Sequence, residues 1–305
     1  MLDDVRDGLM RTPRQLPSKY FYDERGSNLF EAITRLPEYY LTSAEREILI
    51  DRAREIVALT APATLVELGA GSAAKTRILL EAMQSRAQPV TYVPVDVSDE
   101  FLQQTRDALV LQYPSLNVEP VVADIGVSLD LPPTRGPALV VFLGSTIGNF
   151  EWGEAILLLR RIRAHMRPGD RLLLGTDLRK DRTRIEAAYN DSKGVTAEFN
   201  RNVLRVLNAA LGADFAVERF EHRAFYDDAH QRIEMRLRSV GAQTVNIPGI
   251  GALSFEEGEE IRTELSHKYD RGVVDALAGA ARMRVTHWFT DSATRFALSL
   301  HEPVG

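Results

Sequence analysis

The sequence contains no cysteine among its 305 residues. This absence excludes disulfide bonds, a thiolate nucleophile and zinc sites built from thiolates. The six histidines are scattered along the chain and show neither HxH nor HExxH spacing. We therefore predict that the protein has no metal site.

The sequence also lacks long apolar runs and an excess of positive charge. No window approaches eighteen uncharged apolar residues, and residues 1–7 are charged rather than signal-like. We therefore expect a cytoplasmic protein without a membrane partner. The chain carries 37 Lys and Arg against 43 Asp and Glu, which gives a net charge of -6. Because nucleic-acid binders normally carry a basic excess, we expect no nucleic-acid partner either.

What the sequence does contain is an ordinary globular composition. Apolar residues make up 45% of the chain and charged residues 26%, so a packed core is expected. The length exceeds that of a usual single domain. We expect one large domain with an inserted or appended lobe, and we expect the chain to be a monomer.

From about residue 64, short apolar runs alternate with longer amphipathic ones. The runs typical of strands are residues 64–68, 90–97, 118–125, 138–144 and 171–177. The runs typical of helices are residues 73–84, 100–113 and 151–166. Repeated βα units predict an α/β fold with a parallel, doubly wound sheet of the Rossmann type.

The pattern changes after residue 178. Residues 185–211 look helical throughout, whereas residues 216–225 and 232–240 alternate apolar and polar positions as an antiparallel hairpin does. Residues 283–289 and 295–301 form a second such pair, which could finish the sheet.

This change of pattern predicts two domains. We expect residues 44–178 and 269–305 to form the sheet domain. We expect residues 1–43 and 179–268 to form a smaller α+β lobe.

The turn from the first strand to the first helix reads Glu-Leu-Gly-Ala-Gly-Ser at residues 67–72. Gly69 and Gly71 let the main chain approach a ligand closely, and a helix N-terminus offers N–H groups. Asp96 ends the second strand, where an acid would hold ribose hydroxyls, and Asp124 ends the third, where a carboxylate could meet an adenine amino group. This pattern favours the S-adenosylmethionine (SAM) site of a class I methyltransferase.

Other interpretations of the glycine turn and its acids were weighed against SAM. A Walker loop fails because no Gly-Lys-Ser/Thr follows the turn. A nicotinamide dinucleotide remains an alternative cofactor. Its pyrophosphate is negatively charged, however, so it fits beside these acids less well than a positively charged sulfonium does. Each acid taken alone could also be a strand-end cap.

Longer strings of the sequence resemble a single protein family. These strings lie at residues 36–40 with 44–49, 66–72 with 75–76, 94–98, 142–150, 174–178, 188–190, 196–202 and 263–268. In this order they resemble the L-histidine Nα-methyltransferases of ergothioneine biosynthesis, and the resemblance runs from about Arg14 to His301. Leu41, Ala70 and Ala73 depart from the family pattern, but none of them is a proposed polar contact.

The resemblance implies a class I methyltransferase fold with a second, substrate-binding lobe. It implies the transfer of three methyl groups from SAM to the α-amino nitrogen of L-histidine. The products would be hercynine and S-adenosylhomocysteine (SAH), and the reaction would be the first step of ergothioneine biosynthesis.

The resemblance also assigns residues to this reaction. The cofactor-binding residues would be Gly69, Gly71, Lys75, Asp96, Asp124 and Tyr22. The substrate-binding residues would be Asn149 and Tyr189 for the carboxylate, Glu264 and Ser266 for the imidazole, and Met235, Tyr39 and Phe30 around them. The residues closest to the reacting amine and methyl group would be Tyr22, Gly144 and Asn149.

Each of these contacts has a purely structural alternative. Asn149 could be the N-cap of the helix that follows, and Tyr189 and Met235 could simply be core residues. Glu264 could be a solvated charge and Ser266 a cap. The two can grip one imidazole only if this stretch is extended, because a spacing of two residues separates side chains by about 200° on a helix.

We predict no catalytic base. An α-amino group has a reference pKa of about 7.7 to 8.0, so its deprotonation at pH 7 costs only about 1 kcal/mol. One rival function is a methyltransferase for another amino acid such as tryptophan, which should lack the acidic partner at Glu264. Another is a SAM-binding protein without activity, against which the intact Asp96 and Asn149 argue.

Overall fold

The computed structural model describes residues 1–86, 88–127, 129 and 131–304. The helices in these ranges are α1 (Leu2–Leu9), α2 (Glu24–Ile33), α3 (Tyr40–Thr60), α4 (Thr76–Gln84), α5 (Asp99–Gln112), α6 (Trp152–His165), α7 (Arg182–Ala187), α8 (Val195–Leu211) and α9 (Arg271–Ala280). The strands are β1 (Arg14–Gln15), β2 (Thr64–Leu68), β3 (Val90–Asp96), β4 (Leu116–Val118), β5 (Val121–Val122), β6 (Ala138–Phe142), β7 (Arg171–Asp177), β8 (Phe220–Asp227), β9 (Arg232–Ser239), β10 (Gln243–Ile247), β11 (Gly251–Phe255), β12 (Glu260–His267), β13 (Met283–Thr290) and β14 (Phe296–Pro303). None of the described helices has both the length and the apolar character needed to cross a membrane.

The chain divides into two compact units. Unit 1 consists of Met1–Tyr40 and Lys180–His267, and unit 2 consists of Leu41–Arg179 and Lys268–Gly305. Unit 2 contains the βα series, and unit 1 contains the hairpin that follows it.

Unit 2 is built on one mostly parallel sheet. Its strand order is β13-β14-β7-β6-β2-β3-β4, and β5 also pairs with β3. The strands from β7 to β4 run parallel, whereas β14 pairs antiparallel with both β7 and β13. The predicted class, a Rossmann-like sheet with a C-terminal antiparallel hairpin, is therefore confirmed. Because β2 lies between β3 and β6, the loops after these strands meet at a switch point, where open α/β sheets bind ligands.

The centre of this sheet is buried on both faces. All five residues of β2 and all five of β6 are buried, as expected for parallel strands covered by helices. Val66 and Val140 belong to one apolar cluster with Leu158 of α6 and Leu277 of α9. Burial of each such side chain contributes about 1.5 to 3 kcal/mol to the free energy of unfolding. The strands are therefore held firmly, and so are the strand ends from which the loops emerge.

Three predicted boundaries in unit 2 are wrong. Helix α4 begins at Thr76 rather than at residue 73, because Ala73 has a φ of 52°, which a right-handed helix excludes. The predicted third strand is two short strands, since Pro120 between them has no N–H to donate to the ladder. Strand β6 ends at Phe142, and Gly144 turns the chain with a φ of 73°.

Unit 1 holds a four-stranded sheet with the order β1-β12-β9-β8 and a separate hairpin of β10 and β11. Strands β8 and β9 form the predicted antiparallel hairpin. Helix α8 packs against both of them, and its buried residues Phe199, Val203 and Leu207 follow each other at one-turn spacing. Strand β9 alternates charged residues with three buried apolar ones, namely Ile233, Met235 and Leu237.

The continuous helix predicted over residues 185–211 is wrong. Helix α7 ends at Ala187 and α8 begins at Val195. In between, the carboxylate of Asp191 accepts hydrogen bonds from the main-chain N–H groups of Val195 and Thr196 at 2.9 and 2.7 Å. Gly194 has a φ of 71°. The chain therefore turns here, because an aspartate that binds nearby N–H groups and a left-handed glycine both favour a turn over a helix.

Candidate active site

The glycine turn of unit 2 leaves open space beside its main chain. Gly69 has a φ of 70° and Gly71 a φ of 49°, and a Cβ added at either would meet no atom within 4 Å. The N–H of Gly71 donates to Oδ2 of Asp96 at 3.1 Å, and the N–H of Val97 donates to Oδ1 at 2.8 Å. These two bonds orient the carboxylate and leave it further lone pairs for a ligand.

Asp124 follows β5 in a loop. Its Oδ1 accepts a hydrogen bond from the N–H of Gly126 at 3.0 Å, and the residue is half-buried. This geometry is that of an aspartate that stabilises its own turn.

The turn after β6 joins a second group of predicted residues. The N–H of Gly144 donates to Oε1 of Glu45 at 2.8 Å, and the ammonium of Lys75 forms an ion pair with the same carboxylate. Lys75 Nζ lies 3.6 Å from the position that a Cβ on Gly144 would take. Lys75 and Gly144 are therefore neighbours, and a carboxylate that the sequence did not single out connects them.

Asn149 does not cap the helix that follows it, so this alternative is wrong. Helix α6 has Glu151 as its N-cap, and the N–H of Glu151 donates to the carboxylate of Glu154 at 3.0 Å in a capping box. Asn149 ends a short 3-10 turn at Thr146–Asn149. Its side-chain amide makes no hydrogen bond to the rest of the described chain, so it remains available to a ligand.

Glu67 belongs to the same sequence string as the glycine turn but has a structural role. Its carboxyl group is buried and accepts hydrogen bonds from the hydroxyls of Thr76 and Tyr92. Burial raises the pKa of Glu67 to about 7. The group thus links β2 to the start of α4 and to β3.

In unit 1, strand β12 carries the two residues assigned to the imidazole. The stretch is extended, as the two-residue spacing requires, and Ser266 is therefore not a helix cap. Glu264 lies opposite Met235 and Ser266 opposite Ile233, so both share a face with the apolar residues of β9. The hydroxyl of Tyr189 donates to Oγ of Ser266 at 2.8 Å, and both residues are buried.

A β-bulge sets the face on which Glu264 lies. Between Arg262 and Glu264 the register shifts, so that Thr263 and Glu264 together oppose Met235. If the register continued regularly from Arg262, Thr263 would oppose Met235, and Glu264 would oppose Glu234 on the other face of the sheet. Thr263 is buried, and its hydroxyl donates to Oδ1 of Asn200 in α8 at 2.6 Å. No local pattern of residues predicts this bulge.

Asn200 also connects the bulge to Tyr189. Its Nδ2 donates to Nδ1 of His222 at 2.9 Å, and Nε2 of His222 lies 2.9 Å from the main-chain oxygen of Tyr189. Burial lowers the pKa of His222, so the ring is neutral at pH 7. Its proton is on Nε2, because that nitrogen faces a carbonyl acceptor. This chain of bonds positions Tyr189 relative to β12.

The predicted aromatic residues of unit 1 form one cluster. Tyr22 and Phe30 meet edge to face with ring centres 5.8 Å apart, and Phe30 meets Tyr39 in the same way at 6.2 Å. Phe199 of α8 lies 5.6 Å from the ring centre of Tyr22. Tyr22 keeps 39% of its surface exposed. The sequence analysis missed Phe199, although it lies in one of the strings that carried the resemblance.

Glu45 is the second residue that the sequence analysis missed. A signal for its burial exists, because Leu41, Ile48 and Leu49 lie four residues before it and three and four residues after it. This spacing puts Glu45 on the apolar face of α3. A carboxylate on such a face is buried and needs a partner.

The sheet and the turn geometry define the class of protein. The open space at Gly69 and Gly71 and the oriented carboxylate of Asp96 fit SAM. The chain is similar to the structure of a SAM-dependent methyltransferase from Clostridium acetobutylicum, with a TM-score of 0.53 and 12% identity over 91% of this chain and 99% of that one. The fold is that of the class I SAM-dependent methyltransferases.

A family model narrows this class. The model for histidine-specific, SAM-dependent methyltransferases matches residues 1–303. The histidine N-alpha-methyltransferase of Mycobacterium tuberculosis (strain CDC 1551 / Oshkosh) is 47% identical over 97% of this chain and 93% of that protein. Ergothioneine biosynthesis protein 1 of Neurospora crassa is 32% identical over 90% of this chain and 32% of that longer protein. The chain belongs to the family of histidine-specific, SAM-dependent methyltransferases, as the resemblance predicted.

Proposed function

We propose that this enzyme transfers three methyl groups from SAM to the α-amino nitrogen of L-histidine. The product is hercynine, and the reaction is the first step of ergothioneine biosynthesis. The observation that carries this proposal is the shared face of Glu264 and Ser266, with the Tyr189 hydroxyl on Ser266. The family match over residues 1–303 supports the same substrate.

Residues of unit 2 hold SAM in this proposal. Gly69 and Gly71 allow SAM to approach the main chain closely. Asp96 accepts hydrogen bonds from its ribose hydroxyls, and Asp124 accepts one from its adenine amino group. Lys75 offers a cation. The resemblance also assigns Tyr22 to the cofactor. When bound, SAM supplies an electrophilic methyl group. The open space at the two glycines supports this assignment, because a side chain at either would occupy it.

The imidazole offers one nitrogen that donates and one that accepts. A carboxylate and a hydroxyl match this pair, so Glu264 and Ser266 can read both ring nitrogens. Met235 packs beside the ring. Because Glu264 and Ser266 share one sheet face, a single ring can meet both.

The Tyr189–Ser266 bond couples the recognition of imidazole and carboxylate. A hydroxyl has only one proton, and Tyr189 donates it to Ser266. When Ser266 accepts from an imidazole N–H, it can turn its own proton toward Tyr189. Tyr189 can then donate to the substrate carboxylate, the group to which the resemblance also assigns Asn149. We propose that this reversal allows Tyr189 to recognise the carboxylate once the imidazole is bound.

Positioning supplies most of the catalysis in this proposal. The α-amino group needs no strong base, since its deprotonation at pH 7 costs about 1 kcal/mol. What the residues must do is hold the amine lone pair in line with the transferred methyl. Because Gly144 has no side chain, it leaves room for the methyl groups that are added to the amine. The rings of Tyr22, Phe30 and Tyr39 accept the trimethylammonium product by cation–π attraction.

In this proposal each of the two predicted domains binds one of the two reactants. We propose that residues 44–178 and 269–305 bind SAM and that residues 1–43 and 179–268 bind the substrate. We also propose that the enzyme acts as a cytoplasmic monomer. One chain carries both sets of residues, so a second copy is not required, and sedimentation equilibrium tests the monomer. A chain without cysteine gains no disulfide from an oxidising compartment.

A mass-spectrometric assay with SAM and each of the twenty amino acids tests the function. We expect turnover of histidine to a product that is heavier by three methyl groups. The alternative, a methyltransferase for another amino acid such as tryptophan, is less supported, because an indole has no second nitrogen for Ser266. Turnover of tryptophan without turnover of histidine would establish that alternative.

A further inference from the structure

A buried carboxylate in unit 2 lies against two elements of the proposed SAM site and has no role so far. Glu45 belongs to α3, and its side chain is fully shielded from solvent. Both of its oxygens accept from the N–H of Gly144, at 2.8 and 3.1 Å. The ammonium of Lys75 is its ionic partner. One carboxylate thus holds the turn after β6 and the cation that follows the glycine turn.

The turn that Glu45 holds has an unusual main chain. Gly144 and Ser145 are consecutive left-handed residues, with φ values of 73° and 58°. A non-glycine residue adopts this conformation only where its surroundings fix it. Two bonds do so here, from the N–H of Gly144 to Glu45 and from the N–H of Asp177 to Oγ of Ser145 at 2.9 Å. Glu45 is therefore one of the groups that anchor this turn.

The surroundings leave room for a carboxylate and little else. A methyl group added at Gly175 of β7 would collide with Oε1 of Glu45, so the β7 main chain passes directly beside it. A buried carboxylate without a cation is costly. Lys75 supplies that cation and keeps 23% of its own side chain exposed.

We propose that Glu45 is a positioning residue for SAM, which acts through Lys75 and Gly144. It holds the Lys75 ammonium beside Gly144 and fixes the direction of the Gly144 main chain. This inference rests on the proposed cofactor role of Lys75 and on the proposed place of Gly144 beside the reacting atoms.

Two substitutions separate these contacts. Glu45→Gln keeps an acceptor for the Gly144 N–H but removes the charge that orients Lys75. We expect its affinity for SAH, measured by calorimetry, to fall about tenfold, as for the loss of a charge-assisted contact. The hydrogen exchange of the Gly144 amide, followed by NMR on ligand-free protein, should stay slow. Glu45→Ala should lose both contacts, so its Gly144 amide should exchange faster and its kcat should fall as well.

Glu47→Gln is the matched control. Glu47 lies on the same helix and accepts from the N–H of Ser292 at 2.7 Å, with Arg295 3.8 Å away. Removal of the Glu47 charge should leave both the SAH affinity and the hydrogen exchange of the Gly144 amide unchanged. An equal loss of SAH affinity in the Glu45→Gln and Glu47→Gln proteins would overturn the inference.

A double mutant keeps the test valid if Glu45→Ala does not fold. Because Glu45 acts through Lys75, the Glu45→Gln/Lys75→Met protein should bind SAH no more weakly than Lys75→Met alone. Additive losses would contradict this. A Glu45→Gln protein with a lower melting temperature but wild-type SAH affinity would show a purely structural role and refute the proposal. SAH binding does not involve histidine, so a failure of the histidine assay would leave this result standing.

Discussion

The Tyr189–Ser266 hydrogen bond gives the sharpest quantitative test of the substrate site. The two oxygens are 2.8 Å apart, and the residues are only 6% and 3% exposed. Tyr189→Phe or Ser266→Ala each leaves a buried hydroxyl without this partner, which costs about 1 to 3 kcal/mol. If histidine binding needs both hydroxyls, its Kd should rise about 5- to 150-fold in each single mutant.

Because the two groups act as one unit, the double mutant should lose much less than the sum of the single losses. The assay is calorimetric titration of histidine into protein saturated with SAH. Tyr226→Phe is the control, since Tyr226 is buried in the same unit and its hydroxyl donates to Gln231 at 3.1 Å. We expect it to bind histidine normally. Strictly additive losses, or normal histidine affinity in both single mutants, would refute the coupled recognition.

Three further substitutions give measurable outcomes. Glu264→Ala should raise the KM for histidine about tenfold or more without changing SAH affinity, and an unchanged KM would remove Glu264 from the site. Thr263→Val should cost about 1 to 3 kcal/mol of unfolding free energy, because Asn200 loses a buried partner, and should also raise the KM for histidine. A stable Thr263→Val protein with normal KM would show that the bulge does not depend on this bond. Burial raises the pKa of Glu67 from 4.5 to about 7, so between these pH values the folded protein keeps a proton that the unfolded chain has lost. The free energy of unfolding therefore falls as pH rises through this window, by up to about 3 kcal/mol. Glu67→Gln should remove that fall in denaturant titrations at pH 5 and pH 8, and an equal pH dependence in both proteins would contradict the assignment.

The regular part of the fold was predictable from the sequence because its signals are local. The apolar runs of β2 and β6 and the turn residues Gly69 and Gly71 lie next to each other in the chain. The mostly parallel sheet and the C-terminal hairpin followed from the βα alternation and the change of pattern at its end. Two of the wrong predictions also have local causes. Pro120 signals a break in the predicted third strand, and Gly194 signals a break in the helix predicted over residues 185–211. In both places the apolar periodicity around the residue outweighed this signal.

The arrangement of the candidate site residues in each unit depends on contacts that are distant in sequence. The bulge at Thr263 in β12 is fixed by Asn200, which lies in helix α8. The burial of Glu45 depends on Lys75 and on the turn at Gly144. No periodicity encodes such partners, so the resemblance could name Glu264 but could not explain which face it occupies.

Two residues before α6 are candidates for its N-cap. Asn149 and Glu151 both precede the helix, and asparagine is the better N-cap residue by preference. Glu151 takes the position because Glu154, three residues later, returns a bond to its N–H. Asn149 is thereby released from a capping role, and its amide is available for the proposed contact with a carboxylate.

The position of the transferred methyl groups tests the central claim most directly. Purified protein is incubated with L-histidine and SAM that carries a ¹³C-labelled methyl group, and the product is analysed by NMR. We predict that the label appears as three equivalent methyl groups coupled to the α-carbon of histidine. Label on a ring nitrogen, or no label on histidine at all, would contradict the account.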